Sequence, residues 1–574
     1  METFQGTGVS PGIGLGTARV LRSAAATVVC RNISQDEAPT ELERFTEALQ
    51  HIGEDIRLLL QSFSFKKEER DILNTHLLIL EDPALRASVE KDVREELVCL
   101  EYAVARYFQQ AAQIFGAMQD EYLAQRVADY REVSQRLLGH LRSEGDEFTL
   151  DDRQDNILVA EEVPVALLMK IARRKLVGIA VERGSATSHA VIVARSLGVP
   201  VVTGIQGVTE RVPEGAVCVV DGHSGMVVAN PDHHSREVYA QLMASEHQHQ
   251  EELVKLIGVE TRTADGARGH LRMNIENPDE VEHVMHMGGD GIGLLRTEFI
   301  FLNRSSLPTE DEQYEIYRTI AEKVHPAPLV IRTVDIGGDK LSNLLSLQKE
   351  QNPALGLRGI RLSLAHPDLF RTQIMAILRA AVAGNVHIML PLIIRLEEVR
   401  RSREIIRSCE QELAQRGREY RRGVPLGVMI ETPAAAMISG MLARECDFFS
   451  IGTNDLIQYT LAVDRASENV ADLYDPCHPS VLHLITLTVQ NARKYNLPVA
   501  VCGEMAAEAD FIPFFVGLGL HDLSVSPGLY LIAKEHIMRT RSSDVIDLVL
   551  DLLDAESTEE TRRRINEWRH KHRY

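Results

Sequence analysis

The chain has 574 residues, 44% hydrophobic and 25% charged, a length that implies about three to five domains and a composition that excludes a disordered or fibrous protein. Lys and Arg number 62 against 83 Asp and Glu, a net charge of −21; this repels nucleic acid and anionic lipid, so any site for an anionic substrate must gather its cations locally. Aromatic residues at 5% with a single Trp favour a helix-rich α/β protein over a β-sandwich.

From the N-terminus, residues 4–22 are Gly-rich and then β-prone. Gly12, Gly14 and Gly16 imitate part of a dinucleotide fingerprint. Thr17-Ala18-Arg19-Val20-Leu21 continues as strand rather than helix, so a strand–turn–strand is expected in place of a phosphate cradle. After Asp36 the residues Leu42, Phe45, Leu49, Ile52, Ile56, Leu59 and Phe63 recur at helical spacing along one face. Further helices are expected over Ile72–Leu80, about Ala87–Met118 and Tyr122–Leu141, with Glu81-Asp82-Pro83 breaking the first pair. β character returns at Asn156–Ala160 and Leu176–Val181, and a hairpin is expected between Ala216–Val220 and Met226–Ala229. These features predict an α/β domain over 1–22 and 146–230, with an all-helical subdomain, 23–145, inserted in it. The polar stretch 231–260 reads as a linker helix.

Residues 261–574 hold eight short apolar strand candidates separated by helix-length segments: Leu271–Ile275, Gly291–Leu295, Leu329–Val334, His387–Leu392, Leu426–Ile430, Phe448–Ile451, Val499–Val501 and Asp522–Val525. Eight strands with helical crossovers predict a (β/α)8 barrel, whose active site lies at the C-terminal ends of the strands. Polar residues recur there: Arg296-Thr297-Glu298, Asp335, Glu431, Asn454-Asp455 and Cys502-Gly503-Glu504. The seven cysteines, odd in number and without a C-x-x-C pair, speak against a disulfide framework or a zinc site. The N-terminus has no signal-peptide pattern and no apolar run is long enough to span a membrane, so a cytosolic, reduced protein is expected.

Four constellations carry chemistry. His189, after Thr187-Ser188, opens a predicted helix, where unpaired backbone N–H groups and the positive dipole end stabilise an added phosphoryl group. Taken alone, an exposed histidine at a helix start accounts for this pattern more readily. Arg296, Arg332, Arg358, Arg361 and Arg465 suit a small substrate bearing phosphate and carboxylate; for any one of them, pairing with Glu298 or Asp335 serves as well. Glu431 and Asp455 at strand ends suit Mg²⁺ with phosphate oxygens, and equally suit a structural pair. Cys502 is either a small buried hydrophobe or a thiol at the barrel mouth able to trade a proton with a substrate carbon.

Together these residues closely resemble the Enzyme I family of the phosphoenolpyruvate:sugar phosphotransferase system over nearly the whole chain. The resemblance rests on Thr187-Ser188-His189 with Ala194-Arg195, Gly293–Phe299, Arg332–Lys340, Glu431–Ala435, Asp447–Leu456 with Gln458-Tyr459-Thr460 and Asp464-Arg465, and Cys502-Gly503-Glu504. It implies a swivelling phosphohistidine α/β domain with the inserted helical subdomain, followed by the TIM-type barrel. It also implies that His189 accepts the phosphoryl group of phosphoenolpyruvate and passes it to a histidine of the carrier HPr, releasing pyruvate. Arg296, Arg332, Arg358, Asn454, Asp455 and Arg465 would bind phosphoenolpyruvate, Glu431 and Asp455 would hold Mg²⁺, and Cys502 would protonate the enolate. The family's helical subdomain docks HPr and its barrel domain forms a homodimer.

Three positions depart from the common pattern: Ser185 replaces a frequent glycine, and Met273 and Glu276 stand in the first barrel strand region where smaller residues are common. A pyruvate phosphate dikinase or phosphoenolpyruvate synthase would carry a large nucleotide-binding domain ahead of the histidine, and only 188 residues precede His189. A non-catalytic phosphoenolpyruvate sensor would have lost some of His189, Glu431, Asp455 and Cys502, all of which are present. A nitrogen-regulatory paralogue would bear an additional N-terminal sensory domain.

Overall fold

The computed structural model describes residues 1–21, 30–62, 67–116, 121–141, 153–163, 175–184, 189–302, 306–337, 350–465 and 470–572, with a few isolated positions between them. The chain divides into two units, Met1–Gln248 and His249–Tyr574.

The first unit is built on eight strands: β1 (Glu2–Gln5), β2 (Thr7–Ser10), β3 (Ile13–Leu21), β4 (Asn156–Ala160), β5 (Leu176–Val181), β6 (Val201–Thr203), β7 (Val217–Asp221) and β8 (Met226–Ala229). They form one sheet in the order β1-β8-β7-β3-β4-β5-β6-β2. The β3-β4-β5-β6 core is parallel, and the flanking pairs are antiparallel. The glycines of β3 serve this packing: a Cβ on Gly14 would lie 1.9 Å from the Val177 carbonyl oxygen. Close strand approach therefore explains the fingerprint-like spacing, as the strand–turn–strand reading expected. The short β6 was not anticipated, because Val201-Val202-Thr203 is too brief to show alternation.

The helical insertion comprises Ala38–Ser62, Lys67–Leu80, Pro83–Glu95, Leu100–Gly116 and Glu121–Leu141. The expected helix over about Ala87–Met118 is in fact two. Leu97 takes a left-handed backbone (φ 48°), and Val98 leaves helical geometry to bridge Asn32. The earlier of the two starts at Pro83, because the Asp82 carboxylate accepts a hydrogen bond from the Ala84 N–H (2.8 Å) and proline suits the first helical turn. The predicted linker stretch contains the helix His233–Val254.

The second unit is a closed parallel barrel of β9 (His270–Ile275), β10 (Ile292–Leu295), β11 (Leu329–Arg332), β12 (Val386–Leu390), β13 (Leu426–Ile430), β14 (Phe448–Ile451), β15 (Val499–Val501) and β16 (Asp522–Val525). β16 closes on β9 with Val525 opposite Met273. All eight expected strands are present. Two end sooner than their apolar sequence suggested. After β11 the Val334 N–H donates to the side chain of Gln373 (2.9 Å) instead of continuing the ladder, and after β12 Leu392 is left-handed (φ 55°). Inside the barrel Leu294, Val330, Met389, Met429 and Cys502 form an apolar layer of their own.

Lys534, on the helix Tyr530–Arg539 outside the barrel, is fully buried, and among the described residues its ammonium finds no hydrogen-bond partner. It lies 5.5 Å from the centre of the Tyr530 ring, and burial lowers its pKa against the opposing pull of Asp290. A lysine whose pKa is lower in the folded than in the unfolded chain destabilises the fold fully at pH below its folded value, and the penalty fades as pH rises from there to the unfolded value. Lys534→Met is expected to stabilise the protein by about 1–3 kcal/mol at pH 7 in urea unfolding, the usual cost of an unsatisfied buried polar group. The gain shrinks as pH rises towards the ordinary lysine value; a variant less stable than wild type at pH 7 contradicts the reading.

Candidate active site

Loops following β10, β11, β13, β14 and β15 carry the site residues to one mouth of the barrel. At its centre lies Asp335, with its side chain 1% exposed. Its carboxylate accepts a bidentate pair from Arg358, Nε to Oδ1 at 3.1 Å and Nη2 to Oδ2 at 2.9 Å. Arg332 approaches the same Oδ2 through Nη1 at 3.1 Å. Glu298 completes the cluster: one oxygen accepts from Arg332 Nη2 (2.9 Å) and from the Asp335 N–H (3.0 Å). Burial would raise the Asp335 pKa, but the charges of Arg332 and Arg358 outweigh it and hold the carboxyl below its usual value. Both arginines in turn keep their protons more firmly than usual: burial works against the charge, and Asp335 with its neighbouring acids overcomes it.

Arg358 reaches further, donating to Asp455 Oδ2 (3.0 Å) and to the Tyr459 hydroxyl (3.1 Å). Its loop turns back over Asp335 at Gly359, which has φ 57° and would place a Cβ 3.0 Å from Asp335 Oδ1. Only glycine serves there. Asp455 lies in the first turn of the helix Thr453–Leu461.

Glu431, one residue beyond β13, is 2% exposed. Its Oε1 accepts the Leu392 N–H (2.5 Å), which explains the left-handed turn after β12. Gly452 leaves the other side open, since a Cβ there would sit 3.1 Å from Oε2. Burial first, and then the charges of Asp335 and Asp455, push Glu431 up to about 8. Asp335, Glu431 and Asp455 offer oxygens within 4.8 Å of one another. Asp335 is already committed to two guanidinium groups, whereas among the described residues no cation lies at hydrogen-bond distance from Glu431. Hard carboxylate oxygens gathered this closely fit a divalent cation of the Mg²⁺ type.

Around this centre lie the other expected residues. Arg296 follows β10 and pairs with Glu276; burial and the charge of Arg332 lower its pKa. Asn454 and Glu504 exchange hydrogen bonds, Asn454 Nδ2 to Glu504 Oε1 and the Glu504 N–H to Asn454 Oδ1, both 2.8 Å. Arg465 stands 3.7 Å from the same Glu504 carboxylate. Cys502 follows β15, 4% exposed, with its thiol donating to the Ile451 carbonyl (3.6 Å); burial pushes the thiol up to about 11. Among the described residues the buried Arg332 Nε finds no hydrogen-bond partner, a donor left over in the middle of the site. Arg361 is spent on the carbonyls of Leu355 and Gly356.

His189 is the first residue of the helix His189–Ser196 in the other unit, while Ser185, Thr187 and Ser188 lie outside the described residues. Sequence reasoning named Asp335 and Glu298 only as pairing acids, and did not single out Tyr459 or a role for Glu504. The strand-end position of Asp335, between Arg332 and the Arg358 loop, was the available signal.

A barrel mouth of this kind, with converging guanidinium and carboxylate groups, defines an enzyme that handles a small anion. Family models place the chain among the phosphoenolpyruvate-utilising enzymes: the N-terminal domain matches residues 5–126, the mobile domain 152–225 and the phosphoenolpyruvate-binding domain 250–542. The phosphoenolpyruvate-protein phosphotransferase of Priestia megaterium is 36% identical over 561 residues, covering 97% of this chain and 98% of its own. That of Bacillus subtilis (strain 168) is 36% identical over 562 residues, covering 98% of each. A solution structure of an Enzyme I protein covers 42% of this chain and 99% of its own at 29% identity, with a TM-score of 0.37. The chain belongs to the phosphoenolpyruvate-protein phosphotransferase family.

The ion cluster has a consequence for stability. Arg358→Met leaves Asp335 and Asp455 short of a cation and is expected to cost about 3–5 kcal/mol in urea unfolding at pH 7, as when one partner of a buried pair is removed. Adding Asp335→Asn recovers part of that loss. A loss under about 1 kcal/mol for Arg358→Met would show that the guanidinium is not needed to balance the buried acids.

Proposed function

We propose that the protein transfers the phosphoryl group of phosphoenolpyruvate to a ring nitrogen of its own His189, then to a histidine of an HPr-type phosphocarrier, releasing pyruvate. The observation that carries this is the convergence of Arg296, Arg332, Asp455, Glu431 and Cys502 on one barrel mouth, in a chain of the phosphotransferase family. The chain is an enzyme of phosphoenolpyruvate-dependent phosphotransfer.

Phosphoryl transfer asks for positioning and charge neutralisation more than for covalent chemistry from the protein. Arg296, Arg332 and Arg465 supply the cationic field for phosphate and carboxylate, and the unpartnered Arg332 Nε–H is a preformed donor for one of those oxygens. Glu431 and Asp455 would hold Mg²⁺, with Asp335 beside them. A divalent cation held there would supply charge neutralisation for phosphoryl transfer. The phosphorus–oxygen bond to the enol breaks as the bond to the His189 nitrogen forms, and the enolate takes a proton at carbon from the Cys502 thiol. A thiol with a pKa of about 11 retains its proton at neutral pH, as a general acid must. His189 starts an eight-residue helix, and the positive dipole end of a helix favours an added phosphoryl group.

Acceptor and donor sites belong to separate units, so turnover includes their meeting, for which the stretch 231–260 is the proposed swivel. The helical subdomain 23–145 is the proposed HPr-docking surface, and the barrel domain 261–574 the proposed dimerisation domain. Among the described residues no helix is long and apolar enough to cross a membrane; the proposed location is the cytoplasm.

Incubation with labelled phosphoenolpyruvate and Mg²⁺ is expected to leave acid-labile phosphate on His189. His189→Ala abolishes the label but retains phosphoenolpyruvate binding, whereas Cys502→Ala keeps the affinity and slows turnover by about 10²–10⁴-fold, the usual contribution of a positioned general acid. Label retained in a folded His189→Ala protein would overturn the assignment.

A further inference from the structure

We propose that Glu276 sets the affinity of the mouth for its anionic ligands: it is an internal carboxylate that occupies Arg296 until the anionic substrate displaces it. The inference rests on the phosphotransferase reading above and adds to it a residue outside the substrate, metal and proton-donor sets.

The placement follows from the backbone. Ile275 ends β9 and is the register partner of Leu295, which ends β10. The next residue on each strand is Glu276 and Arg296, so the two emerge side by side at the barrel mouth. The Arg296 N–H donates to the Ile275 carbonyl (3.0 Å), carrying the pairing one step beyond the strands. Glu276 is fixed in turn, because its N–H and that of Asn277 both donate to Glu280 Oε2, at 2.9 and 3.0 Å. From this position Glu276 receives a hydrogen bond from Arg296 Nη1.

The other cations of the mouth are held differently. Arg332 and Arg358 have side chains only 10% and 16% exposed and are bound to buried carboxylates that cannot move to water. Glu504, beside Arg465, is tied to Asn454 by two hydrogen bonds. The Arg296–Glu276 pair has side-chain exposures of 38% and 63%, and an exposed ion pair is weak and easily exchanged. Glu276 is free to swing into solvent when a substrate oxygen takes its place. A ligand must bring enough negative charge to Arg296 to compete with a carboxylate already there. A phosphate-bearing acid does so more readily than a monocarboxylate such as the product. Glu276 thus lowers affinity for both ligands and favours release of pyruvate.

The test is steady-state kinetics of the full-length protein with phosphoenolpyruvate, Mg²⁺ and HPr, using wild type, E276Q, E276G and E276D. E276Q and E276G are expected to lower KM for phosphoenolpyruvate by about two- to five-fold, the factor set by an exposed ion pair. They tighten product inhibition by pyruvate by a similar factor while leaving the chemical step unchanged in single-turnover labelling of His189. E276D keeps the charge and stays within about two-fold of wild-type KM. A KM that is unchanged or raised in both E276Q and E276G shows Glu276 to be irrelevant or merely a support for Arg296, and overturns the proposal. An equal fall in E276D also overturns it. No turnover in the wild type would overturn the phosphotransferase reading itself, and the proposal with it.

Discussion

The barrel mouth is organised by one buried interaction, the carboxylate of Asp335 held between the guanidinium groups of Arg332 and Arg358. Burying so much charge is costly unless each group finds an opposite and its hydrogen bonds are satisfied. Arg332 and Arg358 are shared among Glu298, Asp335 and Asp455, and Arg296 pairs with Glu276. Glu431 is the carboxylate left over, and its raised pKa expresses that imbalance. Arg332 Nε is the donor left over. A site that lacks one cation and one acceptor is complementary to a metal ion bound together with an anion.

The rest of the structure serves this arrangement. Parallel strands covered on both faces form a rigid apolar cylinder, and each loop that follows a strand needs to place only one or two polar groups. Glycines stand where a side chain would collide with the cluster: Gly359 over Asp335 and Gly452 beside Glu431. The chain carries a net charge of −21, so its surface field works against an anionic substrate. Arg296, Arg332 and Arg465 bring guanidinium groups to the mouth despite that field, each beside a carboxylate.

Much of this was legible in the sequence, and for physical reasons. The barrel strands are short apolar runs bounded by polar residues, so all eight were visible, and strand-end positions marked Arg296, Asp335, Glu431, Asp455 and Cys502. Features that depend on partners distant in sequence were less visible. The break at Leu97 is set by a bridge from Val98 to Asn32, and the early ends of β11 and β12 are set by Gln373 and Glu431. The Arg358–Tyr459 and Asn454–Glu504 contacts join loops of different strands. Sequence spacing cannot show which acid an arginine will choose. Glu276 was visible as an unusual residue, but its effect required the β9–β10 register.

The central claim is that the mouth holds a carboxyl group waiting for a divalent cation, and proton release on metal binding tests it most directly. Burial and the charges of Asp335 and Asp455 make Glu431 hold its proton more firmly than an ordinary carboxyl, and it must lose that proton to become a ligand. Calorimetric titration of the full-length protein with Mg²⁺ at pH 7, in buffers of different ionisation enthalpy, is expected to show about one proton released per ion bound, and Glu431→Gln is expected to abolish the release. Tight Mg²⁺ binding without proton release, or release that persists in Glu431→Gln, would contradict the account.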